Sequence, residues 1–228
     1  MPSVFSFLLF MHIACGAAAL FTGLILLFLI KGNRLHRQLG RLFSASLLSC
    51  GGLALIMSTI HPNLFLALVG LFTLYMVGMG HRYARRKKAA PKLLDLSIAL
   101  GIAWTGIVLA FLAVRLFIKG NQMGWVLAAF GGLALMYAVQ DCKALFLSPL
   151  PNSKRIQLHL QRMLGALIAS ISAFLLINYH WFPEELPAPI LWLFPTFVLT
   201  PILVFWSRRV ERGHGPAQTQ NHEKANEV

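Results

Sequence analysis

Seven apolar runs, each about as long as a helix crossing a hydrocarbon layer of about 30 Å, follow one another with only short breaks of charge, proline or glycine. They extend from Val4 to Ile30, Leu42 to Ile60, Leu64 to Gly80, Leu93 to Phe117, Gly124 to Phe146, Leu158 to Tyr179 and Ile190 to Trp206. Inside a bilayer each backbone N–H and C=O must find its partner within the protein, and a helix supplies that partner from its own segment. The expected fold is therefore all-α: an integral membrane bundle of seven transmembrane helices over residues 1–206, followed by a disordered cytoplasmic tail over 207–228. The segment from Gly213 to Val228, rich in Gln, Asn, Glu and Lys, has too little apolar surface to order itself. Composition agrees, since 57% of residues are hydrophobic and 12% charged, against roughly 25% charged in soluble domains.

Charge placement sets the expected orientation. Lys and Arg number 20 in all. Four lie between Lys31 and Arg41, six between His81 and Lys92, two between Leu147 and Gln157, and four after Trp206. With Lys143 and Arg162 at adjoining helix ends, this side holds all but Arg115 and Lys119. Positive residues stay cytoplasmic, so the N-terminus is expected outside and the C-terminus in the cytoplasm. The first run has no basic leader and exceeds a signal-peptide core, which makes it an uncleaved anchor. The same asymmetry accounts for the basic stretch from Arg82 to Lys88, whose expected partners are the lipid bilayer and its anionic headgroups rather than nucleic acid.

Several classes of function are closed. The glycines follow no G-X-Y period, and Cys15, Cys50 and Cys142 stand singly, which excludes a collagen, a disulfide scaffold and a zinc ribbon. Measured from the middle of each run, the three cysteines differ in depth and are expected to be separate packed thiols that cannot bridge. There is no Gly-rich phosphate loop and no GxSxG.

What remains is a set of polar residues on helical faces of small ones. His12, Gly16, Ala19 and Gly23 share one face of the first run. Ser58, Ala54 and Gly51 lie behind His61, and Asp95 heads Ala99, Ala103, Gly106, Ala110 and Ala113. Ala138, Ala134 and Gly131 lie behind Asp141, while Arg162, Ala166, Ala169 and Ala173 follow His159. Small residues mark close approach between membrane helices, so these polar groups are expected to point into the bundle. The competing explanation treats the faces as packing seams with each polar group bonded to a neighbouring carbonyl.

At 1.5 Å per residue, Asp141 and Arg162 both lie roughly 9 Å to the cytoplasmic side of their midpoints, and an ion pair or proton relay between them is expected. His36, His81, Asp95 and His159 sit further in, and His12 and His61 form an outer set. His180, beside Trp181, reads as an interfacial residue, and His36 falls in the first cytoplasmic loop. Pro195 and Pro201, with Thr196 and Thr200, predict a kink in the last helix.

These residues also carry a resemblance. His12-x3-Gly16, His36-Arg37-x2-Gly40-Arg41, His61-Pro62-Asn63, Gln140-Asp141, His159-x2-Arg162-Met163-x-Gly165, Ala173-Phe174, Asn178 and Trp192-Leu193-x-Pro195-Thr196 resemble a bacterial family of polytopic membrane proteins, domain of unknown function 2306. The likeness runs from the first helix to the last, with HRxxGR its most specific piece. Ser172 and Ala166 depart from the family's commoner threonine and aromatic. The resemblance implies the polytopic fold, in a bacterial inner membrane, and supplies no activity.

Three functional classes stay open beside a purely accessory or structural membrane subunit. Histidines on a helical bundle suit a haem b electron carrier, or a quinone-linked redox subunit with a separate redox partner, with His12, His61, His36 and His159 as candidate cofactor-binding residues. A proton-coupled transporter would use Asp141, Arg162 and His159 as its relay. A metal-dependent membrane enzyme would draw on His36, His81, His159 and Asp95 or Asp141, although no HxxxH or HExxH spacing is present. The first is the leading expectation.

Overall fold

The computed structural model describes residues 4–85, 93–147, 150–183 and 185–212. Among these there are seven α-helices and no strand. They are α1 (Val4–Phe28), α2 (Arg34–Ile60), α3 (Leu64–Arg85), α4 (Leu93–Ile118), α5 (Met123–Phe146), α6 (Asn152–Ile177) and α7 (Ala188–Glu211), with one 3₁₀ turn at Tyr179–Trp181. All but α3 are long and apolar enough, by length and composition, to cross a membrane. The chain divides into two units, one of residues 1–85 with 152–228 and one of residues 86–151.

Each apolar run became a helix, but several helices outlast their runs. α2 begins at Arg34 rather than Leu42, α6 at Asn152 rather than Leu158, α3 continues to Arg85 and α7 to Glu211. Hydropathy reports where hydrocarbon ends, whereas the hydrogen-bond ladder continues through Arg, Gln, Lys and Leu, all good helix formers. His36 is accordingly a first-turn helical residue and not a loop residue, a correction to the sequence expectation. The start of α2 is fixed by Gly32, whose φ of 86° suits a residue without Cβ, and by Asn33, whose Oδ1 accepts the His36 N–H at 2.7 Å. The expected tail beyond Trp206 opens as helix through Glu211, and residues 213–228 lie outside the described residues, as does the basic stretch from 86 to 92. α7 is assigned as helix without a break through Pro195 and Pro201.

In the larger unit α1 packs on α2, α2 on α3, α3 on α6 and α6 on α7, while α6 also touches α1. α6 is thus the common wall of a ring of α1, α2, α3 and α6. Glycines set the spacing. A Cβ on Gly70 would fall 2.9 Å from the Gly51 carbonyl oxygen, and one on Gly23 would meet Leu167 at 2.6 Å and Phe43 at 2.9 Å, where α1, α2 and α6 converge.

The smaller unit is a hairpin of α4 and α5 turning at Gly120, whose φ is 67°. A Cβ on Gly106 would lie 3.1 Å from the Gly131 carbonyl oxygen. Ala99, Ala113, Ala134 and Ala138 are buried along this seam, and Asp95 and Asp141 are buried at its end. On α4 and α5 the small-residue faces read from the sequence are therefore the buried faces, with Ala103 and Ala110 half-buried. Outward stand Phe7, Phe10 and Phe21 on α1, Trp104 and Phe111 on α4, and Phe194 and Phe197 on α7, a surface suited to lipid rather than water.

Candidate functional site

The basic end of the larger unit gathers polar groups from four chain segments. His159, in the second turn of α6, places Nδ1 2.8 Å from the carbonyl oxygen of Gly80 on α3. A carbonyl only accepts, so Nδ1 carries the proton and Nε2 is left with its lone pair. His36, from α2, lies within electrostatic reach of His159, Lys31 and Arg37, and its Nδ1 is buried with no hydrogen-bond partner among the described residues. His81, from the end of α3, lies within reach of His159.

Cations frame these rings. Arg155 is buried and donates from Nη1 to the Ala84 carbonyl at 3.3 Å and from Nη2 to Asn152 Oδ1 at 3.4 Å, tying α6 to the last turn of α3. Lys31 closes the C-terminus of α1 by donating to the carbonyls of Leu26, Leu27 and Leu29 at 2.9, 2.8 and 2.9 Å. Its half-buried position draws its pKa below the usual lysine value through desolvation. Its ammonium also stands 5.0 Å from the centre of the Trp206 ring on α7.

One turn deeper, Arg162 is wholly buried, with its guanidinium 5.7 Å from the centre of the Tyr75 ring. Asp141, equally buried, belongs to the α4–α5 unit. Gln157 donates from Nε2 to Glu211 Oε1 at 2.7 Å, and Ser172 donates to the Trp192 carbonyl at 2.8 Å. These two bonds fasten α7 to α6. Sequence reasoning missed Arg155 as an organiser of this end, although a cation just inside the start of α6 was the available signal.

The other histidines are differently placed. His12 puts Nδ1 3.0 Å from the Cys50 carbonyl oxygen on α2, with the Cys50 thiol alongside its ring. His61 is exposed and stands edge-on to Phe5, ring centres 4.4 Å apart. Phe5 precedes His12 by about two turns, roughly 10 Å along α1, so His12 and His61 are not brought to one level. His180 is exposed beside Trp181, as an interfacial residue would be.

The cysteine expectation needs correcting. A Cβ on Gly16 would lie 3.6 Å from Cys50 Sγ, so Cys15 and Cys50 occupy neighbouring levels of adjacent helices. Midpoints of apolar runs misjudged this, because the approach of α1 to α2 and the turn between them set the register. Among the described residues no three His, Cys, Asp or Glu come together as ligands for a metal ion. The chain matches no family model, no curated protein and no solved structure.

Proposed function

We propose that this protein is a seven-span bacterial inner-membrane protein, N-terminus outside and C-terminus cytoplasmic, that carries electrons through a haem b held between His36 and His159. The observation that supports it most is the His159 ring, anchored through Nδ1 on the Gly80 carbonyl at 2.8 Å and so left with a free Nε2, with the His36 ring of a separate helix within electrostatic reach of it. That is the arrangement of a ligating histidine, whose second nitrogen is oriented by a backbone acceptor. The donor set fits the rest of the group as well. Lys31, Arg37 and Arg155 already donate to protein acceptors, and their positive charge near the two rings would offset that of two propionates. A haem bound there would supply reversible one-electron chemistry, with a quinone or protein redox partner completing the transfer. The residues would hold its iron and offset its carboxylates at the basic end of α2, α3 and α6.

Seven spans follow if α3 is included. It is uncharged from Leu64 to Gly80, about 25 Å of helix. The orientation rests on the distribution of Lys and Arg. A cysteine placed at Lys87 in a Cys-free background should react with a membrane-impermeant maleimide only after the cytoplasmic side is exposed. Labelling from the periplasmic side of intact cells would reverse the topology.

The functional reading is tested by absorption spectra of the purified protein. A Soret band that shifts on reduction is expected, and His36→Ala and His159→Ala should each bleach it. A colourless wild-type protein, expressed with haem precursor in excess, would remove the proposal.

A further inference from the structure

The outer face of α7 combines an apolar hollow with a cationic end. Phe197, Pro201 and Phe205 recur at every fourth position, which stacks ring, small residue and ring along one side of the helix. Phe197 is 74% exposed and Phe205 58%. The short side chains of Thr200 and Pro201 between the two rings leave a groove of about 910 Å³ that runs down to Arg208, Arg209 and Arg212. From Phe197 to Arg208 the face extends about 16 Å, close to the depth of one leaflet, half of a hydrocarbon layer of about 30 Å.

The three arginines are not committed elsewhere in the protein. Lys31 shows what a capping cation does, since its ammonium donates to three carbonyls at the end of α1. Among the described residues the side chains of Arg208 and Arg212 make no hydrogen bond or ion pair, and Arg209 meets only the Trp206 ring, at 5.5 Å. Glu211, the one acid of α7, is turned to Gln157 on α6. Lys31 stands over the same indole at 5.0 Å, so two positive groups gather on one ring and are stabilised by an anion from outside. Stacking also fixes the plane of the Arg209 guanidinium and leaves its edge of N–H donors free for a phosphate.

We propose that α7 holds one anionic diacyl phospholipid from the surrounding bilayer, its phosphate on Arg208, Arg209 and Arg212 and an acyl chain in the hollow at Pro201. Charge complementarity selects this occupant: unpaired cations at the foot of an apolar groove match a negative headgroup carrying hydrocarbon. The inference rests on the membrane-spanning reading of α7 and not on haem, whose candidate residues are different.

The test is native mass spectrometry of the full-length protein, extracted in mild detergent, stripped of lipid and titrated with dioleoyl phosphatidylglycerol or dioleoyl phosphatidylcholine. The two share their chains and differ in net charge. One phosphatidylglycerol per chain is expected, with phosphatidylcholine about a hundredfold weaker, at roughly fivefold for each arginine. Arg208→Gln, Arg209→Gln and Arg212→Gln together should lower phosphatidylglycerol to the phosphatidylcholine level. These side chains are exposed, so the variant should elute as monodisperse as wild type. Arg34→Gln with Arg41→Gln, at exposed positions of α2, should leave binding intact. A phosphatidylglycerol with a photoreactive acyl chain should label the α7 peptide. Equal affinity for the two lipids, an equal loss in the α2 variant, labelling confined to other helices, displacement by millimolar inorganic phosphate, or a lipid-free dimer cross-linked through α7 would each overturn the proposal. A chain that purified without detergent would remove the membrane reading and this site with it, an outcome distinct from an extracted protein that fails to discriminate the lipids.

Discussion

Replacing Arg162 with methionine is expected to destabilise the protein by about 3–5 kcal/mol, the cost of disrupting a buried charged group and its partners. No part of this side chain reaches the surface, and its guanidinium lies over the Tyr75 ring. Removing it forfeits a desolvated cation–π contact and strands whatever polar groups it satisfies. Lysine should not rescue, because a compact ammonium reproduces neither the planar stacking nor the fork of donors. Unfolding in mild detergent should show both Arg162→Met and Arg162→Lys well below wild type. A thermal midpoint unchanged in Arg162→Met would dismiss this role.

Gly70→Val is expected to cost about 2–3 kcal/mol, at the upper end of ordinary overpacking. The obstacle to a new Cβ at Gly70 is the backbone carbonyl of Gly51, at 2.9 Å, and a backbone cannot turn aside as a side chain can. α2 and α3 must separate or slide, losing the packing on which membrane helices depend. Gly52→Ala is the matched control. Among the described residues nothing lies within 4 Å of a Cβ there, so it should be neutral or gain about 0.5–1 kcal/mol from the better helix former. Equal thermal midpoints for the two variants would show that glycine contacts do not set the α2–α3 spacing.

The legibility of the molecule in its sequence varied with the physical signal available. Helix interiors were plain, because an uninterrupted apolar run has few alternatives in a bilayer. The buried faces were plain too. The stripe behind Asp141 through Ala138, Ala134 and Gly131 is buried along its length. Helix ends were not, because α2, α3, α6 and α7 continue past the hydrocarbon on ordinary helix propensity. Reading Asn33 as an N-cap after Gly32 would have recovered His36 as helical.

The pairing of side chains across helices was least accessible. His12 was singled out correctly as a residue on a small-residue face, yet its neighbour Cys50 was placed at a different depth. Folding the chain at Gly32 and Asn33 would have found the contact, since Cys15 stands as far before that turn as Cys50 stands after it. At the basic end, proximity of His36 and His159 depends on α6 closing the ring against α1 and α3. No local pattern encodes that closure, because the two residues lie on helices separated by a long stretch of chain.

Haem stoichiometry in a set of histidine variants tests the central proposal most directly. The pyridine haemochrome assay on protein purified from haem-supplemented cells should give one haem b per chain for wild type, His12→Ala and His61→Ala. It should give none for His36→Ala and His159→Ala, with monodisperse elution showing that these variants remain folded. Haem retained by a folded His159→Ala protein, or lost on replacing His12 instead, would contradict the placement of the site between α2 and α6.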